Sequence, residues 1–285
     1  MTSRLTLMTV HAHPDDEAIG TGGILAGYAE RGVRTILVTC TNGELGDAPG
    51  GVKPGEPGHD EAEVVALRRR ELEASCRVLG VSHLEVLGYH DSGMMGWPAN
   101  DAPGAFWRTP VDGVAARVGA LMERYRPQVV VTYDERGFYG HPDHIQAHRA
   151  TMAAARATGI PDKVYYTAVP RSAVTGFADV LRRHGVEPPP DMADQPELGT
   201  PDEDIGAVID CSAVAARKYE SLEAHASQSE NIFFLRLGRE VFSSLFGTEA
   251  FVRAVDRTGE PLPEDDLFAG VGTDGPGGSG AAVGR

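Results

Sequence analysis

Along the first half of the chain, short apolar runs alternate with longer stretches in which apolar residues recur every three or four positions. Residues 5–11 (LTLMTVH), 35–41 (TILVTCT), 83–87 and 129–132 are β-branched or nearly continuously apolar, the pattern of strands buried on both faces. Between them, residues 17–30, 61–79 and 114–125 carry helical spacing, the second with an outer face of Arg and Glu. This alternation predicts βαβ units, and with them an α/β, Rossmann-like fold whose mainly parallel sheet carries helices on both faces.

The second half is patterned more weakly. Helices are expected at 145–157, 213–226 and 235–246 and strands at 164–167 and 207–209, which together make a smaller C-terminal α/β portion. A single domain is expected over 1–269, followed by a disordered Gly-rich tail at 270–285 (GVGTDGPGGSGAAVGR). Three long polar segments, 43–60, 88–110 and 185–204, interrupt the pattern, and segments of that length are functional loops or disorder. The first two leave the carboxyl ends of strands, where open α/β sheets bind their ligands. The active site is placed there.

Composition narrows the partners. With 285 residues and 41% hydrophobic residues, the chain can bury an ordinary globular core. A net charge of −15 argues against a nucleic-acid or anionic-membrane surface, which would need clustered Lys and Arg. Residues 1–10 hold only a short apolar run and fit neither a signal peptide nor a membrane span, so a cytoplasmic protein is expected. Cys40, Cys76 and Cys211 are isolated in sequence and are expected to be buried thiols. A small molecule is the expected partner, with self-association into a homo-oligomer left open.

The chemistry is concentrated in two segments. In His11-Ala-His13-Pro14-Asp15-Asp16-Glu17, a strand end passes into a helix start: Pro14 suits the first helical position, and Asp15 and Asp16 suit the first turn, where the helix dipole favours anions. Helix capping alone would explain such a cluster. A second one, Gly140-His141-Pro142-Asp143-His144, repeats the His-Pro-Asp core after another strand, so that both can converge at one sheet edge. His13 and Asp16, three apart, can reach one ion, and His144 can complete a three-ligand open site of the kind that binds Zn2+ with a water. Fe2+ is the alternative, because occupancy also follows metal availability. His144 and His148 form a competing pair, which would leave the first cluster without a purpose. His11 reads equally as a core or a supporting histidine.

These two motifs, with Tyr-Asp and Gly-Phe-Tyr-Gly just upstream of the second, resemble the LmbE/PIG-L deacetylase family, which includes the deacetylase of mycothiol biosynthesis and the mycothiol S-conjugate amidases. The resemblance runs over most of residues 4–255. It implies hydrolysis of the N-acetyl amide of an N-acetylglucosamine-type conjugate, with metal at His13, Asp16 and His144 and Asp15 as general base. It further implies that His141 stabilises the oxyanion in protonated form, that Asp143 supports the histidine pair, and that Tyr139 is a mobile residue near the scissile carbonyl. Arg68 and Asp91 match positions that bind the sugar hydroxyls or its substituent, and Ala224-His-Ala-Ser-Gln228 matches a late motif without an evident role. Gly20 stands where the conjugate amidases carry Lys, which favours the deacetylase over cleavage of a larger acyl group.

Other classes fit less well. Gly20-Thr-Gly22-Gly23 fails as a dinucleotide fingerprint because Leu25 takes the third glycine position. There is no Gly-x-Ser-x-Gly elbow for a serine hydrolase. A sugar-binding protein that had lost catalysis would be expected to lack Asp15 or a ligand, and each is present.

Overall fold

The computed structural model describes residues 4–183, 185 and 198–272. In chain order the elements are β1 (Thr6–His11), α1 (Asp16–Gly20), α2 (Gly22–Glu30), β2 (Arg34–Thr41), α3 (Glu61–Leu79), β3 (His83–Tyr89), α4 (Val111–Tyr125), β4 (Val129–Thr132) and α5 (Gly137–Gly140). They continue as α6 (Pro142–Thr158), β5 (Lys163–Ala168), α7 (Arg171–Arg183), β6 (Ala207–Asp210), α8 (Ala215–Ala224), α9 (Ser229–Leu235), α10 (Gly238–Leu245) and β7 (Thr248–Asp256).

The sheet order is β3-β2-β1-β4-β5-β7-β6. The first five strands are parallel, and β7 lies antiparallel between β5 and β6. Period-two alternation divides the core: Met8, Val10, Ile36 and Val130 face α4 and α6, whereas Leu7, Val129 and Val131 face α2. Both faces are covered, which is why these strands read as continuous apolar runs and not as alternating ones. Burying each such side chain contributes roughly 1.5–3 kcal/mol. Because β1 pairs with β2 on one side and β4 on the other, the chain reverses its order there and leaves a crevice at the carboxyl ends of β1 and β4.

The mainly parallel sheet and its two helical layers agree with the sequence reading, and the three cysteines are buried and unpaired. Several boundaries differ. The helix expected over 17–30 is broken at Thr21 (φ −145°), because the Glu249 carboxylate in β7 accepts from Gly23 N at 2.7 Å and Ile24 N at 2.9 Å and so starts a separate helix. A Cβ on Gly23 would lie 2.6 Å from the Cys211 Cβ, so only glycine allows that approach. The helix expected over 235–246 is α10, which starts at Gly238 (φ +75°), and α9 before it was not anticipated. β7 and α7 were not anticipated. No helix among the described residues is long and apolar enough to cross a membrane. Of the expected tail, Val271 packs against the core; residues 273–285, like most of the polar segment 185–204, lie outside the described residues.

The C-terminal portion is tied in by buried charge. Lys163 on β5 is fully buried and pairs with Glu264, which also accepts from Tyr165 Oη at 2.6 Å and Arg253 Nη1 at 2.9 Å. Removing one partner strands the other in a low-dielectric interior. Glu264→Ala is therefore expected to destabilise the fold by about 3–5 kcal/mol, read as a lowered midpoint in urea at unchanged slope; an unchanged midpoint would show that the network contributes nothing.

Candidate metal and catalytic site

β1 ends at His11, and the next residues cross the crevice between β2 and β4. The Ala12 carbonyl accepts from Thr41 N at 2.8 Å, and Ala12 N donates to Tyr133 Oη at 2.9 Å. Tyr133 follows β4 directly. Its hydroxyl donates to Asp16 Oδ2 at 2.7 Å, its ring stacks on His144 at 4.1 Å, and its carbonyl accepts from His148 Nδ1 at 2.9 Å. Asp16 Oδ2 also accepts from His13 N at 2.8 Å. The two His-Pro-Asp segments are thus joined to each other as well as brought near.

Their helix starts differ. Pro142 occupies the start of α6 as expected, with His141 as its N-cap. Pro14 does not start α1; the N-cap there is Asp15, in a left-handed conformation (φ 104°, ψ −27°) that costs a residue with a Cβ on the order of 1–3 kcal/mol.

The side chains converge closely. His13 Nδ1 faces Asp16 Oδ2 at 3.4 Å, and Asp16 Oδ1 faces His144 Nε2 at 3.5 Å. His13 Nε2 donates to Asp143 Oδ2 at 3.2 Å and lies 3.7 Å from Asp91 Oδ1. Among the described residues, the potential ligand groups with atoms within 4.8 Å of one another are His13 with His141 and His144, and His13 with Asp91 and Asp143. Asp16 reaches His13 and His144 through its two oxygens, which puts His141 beside the expected trio as a further nitrogen.

This donor set fits a divalent cation. Both ring nitrogens of His144 and Asp143 Oδ1 are buried without a hydrogen-bond partner, which native interiors rarely tolerate. His13 has one nitrogen toward Asp16 and the other committed to Asp143, the carboxylate–histidine arrangement that orients a metal ligand. Burial opposes charge on His13, but Asp91, Asp143 and Asp16 outweigh it and hold its pKa well above the ordinary value. Burial alone would raise Asp16, yet His144 and His13 pull its carboxyl well below the usual range. The pocket favours a positive charge at its centre.

Other groups are set by the same field. Burial raises the Asp15 carboxyl to about 6, opposed by Arg68 and reinforced by Asp16. Burial, with His13 and His144, drives His141 down to about 2. This shift runs against the protonated His141 that the resemblance implies. Its Nδ1 accepts from Asp143 N at 3.2 Å, which leaves Nε2–H as the donor.

The structure places the remaining expected residues as follows. Asp91 is buried, accepts from Gly93 N at 2.8 Å and sits beside His13. Tyr139 is 46% exposed at the mouth, its ring 5.2 Å from that of His144. Arg68 is buried under Asp15, with one Nη on the Gly43 carbonyl at 2.8 Å and the other on the Pro14 carbonyl and 3.1 Å from Asp15 Oδ2. His11 contacts Tyr133 and Thr21, and His148 is committed to the Tyr133 carbonyl, so neither joins the ligand groups.

Sequence reasoning gave no role to Tyr133, Ser92 or Asn231. Ser92 N donates to Asp143 Oδ2 at 2.9 Å and docks the 88–110 segment on the site. Tyr133 entered the sequence reading only as the first residue of the Tyr-Asp pair upstream of the second motif, with no role attached to it. The late motif also acquires contacts: Gln228 pairs with the backbone of Asp47, accepting at 2.9 Å and donating at 3.2 Å, and so holds the 43–60 segment. Tyr133→Phe is expected to leave Ala12 N buried without an acceptor, costing about 1–3 kcal/mol, and to weaken metal affinity roughly 10–100-fold. Thermal unfolding and chelator competition measure the two effects; wild-type values in both would mean that the hydroxyl joins nothing.

A model of the PIG-L family, described as GlcNAc-PI de-N-acetylase, matches residues 8–155. The 1D-myo-inositol 2-acetamido-2-deoxy-alpha-D-glucopyranoside deacetylase of Salinispora arenicola is 42% identical over 282 residues, which cover 93% of this chain and 91% of the relative. Among solved structures, the N,N'-diacetylchitobiose deacetylase of Pyrococcus horikoshii superposes with a TM-score of 0.55 at 19% identity, covering 87% of this chain and 83% of that one. GalB, the 4-carboxy-2-hydroxymuconate hydratase of Pseudomonas putida KT2440, gives 0.59 at 23% identity, covering 90% and 99%. A deacetylase and a hydratase share this architecture, so these two likenesses carry the fold and leave the reaction to the site.

Proposed function

The chain belongs to the PIG-L family of GlcNAc-PI de-N-acetylases, and from that premise we propose a metal-dependent hydrolase that cleaves the N-acetyl amide of a glucosaminyl-inositol or similar conjugate, releasing acetate and a free amine. The observation that carries this reading is the single crevice in which His13, Asp16 and His144 face one another while the Asp15 carboxyl stands beside them. Zn2+ is the ion that this borderline nitrogen and oxygen set suits best, with Fe2+ as the alternative.

His13, Asp16 and His144 would hold the ion, which when bound lowers the pKa of water and polarises an acyl oxygen. Asp15 takes a proton from the attacking water and returns it to the leaving amine. Asn231 Nδ2 and Arg68 hold its Oδ2, each at 3.1 Å, and Oδ1 is the oxygen assigned to the proton. His141 donates from neutral Nε2–H to the acyl oxygen, where negative charge grows only as the tetrahedral species forms. Asp143 fixes His13 and the Ser92 backbone together, and Tyr139 covers the acyl group from the rim. Asp91 takes sugar hydroxyls at the edge of the crevice; Arg68 serves the substrate through Asp15.

Elemental analysis of protein purified without chelator is expected to find about one Zn2+ or Fe2+ per chain, and the same protein should release free amine from N-acetylglucosaminyl-inositol. Asp15→Ala should lower kcat about 10²–10⁴-fold with metal retained, whereas His13→Ala should lose the metal. Full activity in Asp15→Ala would remove the general base from this reading, and a metal-free wild type after reconstitution would remove the ligand assignment.

A further inference from the structure

We infer that Glu17, together with His225 and Asn231 from the segment after α8, forms a clamp that positions Asp15 for proton transfer; the inference rests on Asp15 being the general base. Asp15 is held in a left-handed backbone conformation that residues with a Cβ seldom adopt, and such a conformation persists only when its surroundings over-determine it. Two sets of contacts do so. At the backbone end, Asp15 N donates to Glu17 Oε2 at 3.0 Å. At the carboxyl end, Asn231 Nδ2 donates to Asp15 Oδ2 at 3.1 Å.

Both ends lead to the same segment. The other oxygen of Glu17 accepts from His225 Nε2 at 2.7 Å and from Ser75 Oγ at 2.5 Å. Asn231 Nδ2 also donates to the His225 carbonyl at 3.3 Å. Glu17 and His225 are both fully buried, more than 200 residues apart in sequence, and neither is among the metal-facing groups. A completely buried carboxylate is costly, and hydrophobic residues of similar volume often serve stability as well or better. What Glu17 adds that a hydrophobic residue could not is an acceptor for the Asp15 N–H. The Ala224–Gln228 motif thereby gains a role: it brings His225 to Glu17 and starts the turn that carries Asn231 to Asp15.

Glu17, His225 and Asn231 are positioning residues, so their removal should act on turnover through Asp15 alone. Asn231→Ala and Glu17→Gln, each made in the wild-type and Asp15→Ala backgrounds, test this, with kcat, KM, bound metal and melting temperature measured for all. Asn231→Ala removes the amide contact to the carboxyl, leaving Arg68 on the same oxygen, and keeps the test decisive if the buried Glu17→Gln fails to fold. In the wild-type background each variant should lower kcat on the order of 10–100-fold, the range for a displaced catalytic group, with KM within about twofold and bound metal unchanged. In the Asp15→Ala background neither should lower the residual rate further, because the group they position is gone. Unchanged kcat in folded Asn231→Ala, or an equal loss in both backgrounds, would overturn the clamp while leaving the base intact. Full activity in Asp15→Ala alone would instead overturn the reading on which the clamp rests.

Discussion

The Tyr133 hydroxyl accepts from Ala12 N and donates to Asp16, and through that one oxygen the end of β1 is joined to the end of β4. Parallel pairing brings both strand ends to the same edge, but pairing alone sets strand positions and not the aim of side chains beyond them. The hydroxyl fixes Asp16, the stacked ring fixes His144, and the carbonyl holds His148 out of the crevice. Asp143 makes a second such joint, between His13 and the Ser92 backbone. Ligands drawn from a strand end and a distant helix start are thereby held as one rigid group, which metal binding at a defined geometry requires.

Electrostatics in this chain is divided between two tasks. In the C-terminal portion, Lys163 with Glu264 and Lys218 with Glu249 are buried pairs that compensate their own charge, and Glu249 also caps α2. At the crevice the carboxylates of Asp16, Asp91 and Asp143 outnumber the nearby cations and surround His13. An imbalance of that kind is unfavourable for a core and suited to a cation. Asp15 differs from Asp16 in the direction of its shift, because burial raises its carboxyl to about 6 even though Arg68 beside it opposes the rise.

Much of the architecture could be read from the sequence because both-face burial writes itself as unbroken apolar runs; 129–132 and 61–79 were placed to the residue. β7 escaped because its positions are mostly half-buried, so neither strict alternation nor a continuous run marks it. The break at Thr21 was invisible for a different reason: the group that causes it, Glu249, lies 226 residues away from the backbone it caps. The same division holds at the site. His13, Asp16, Asp15 and His144 could be named because their types and spacing are local, whereas Glu17, Tyr133 and Asn231 matter only through partners that sequence distance hides. The lowered pKa of His141 comes from its burial and from His13 and His144 beside it, and could not be read from the motif.

The position of β7 bears on the order in which the molecule can be assembled. Among the described residues, β6 is paired in the sheet with β7 alone, which follows it in sequence and separates it from β5. During synthesis the five parallel strands and their helices can associate as they emerge, but β6 must wait for a later strand to provide its backbone partners. α2 waits as well, since Glu249 is needed for the N–H groups of Gly23 and Ile24. The helix that follows the first ligand segment is among the earliest parts made and among the last completed, so the ribosome must deliver nearly the whole described chain before the crevice acquires its final shape.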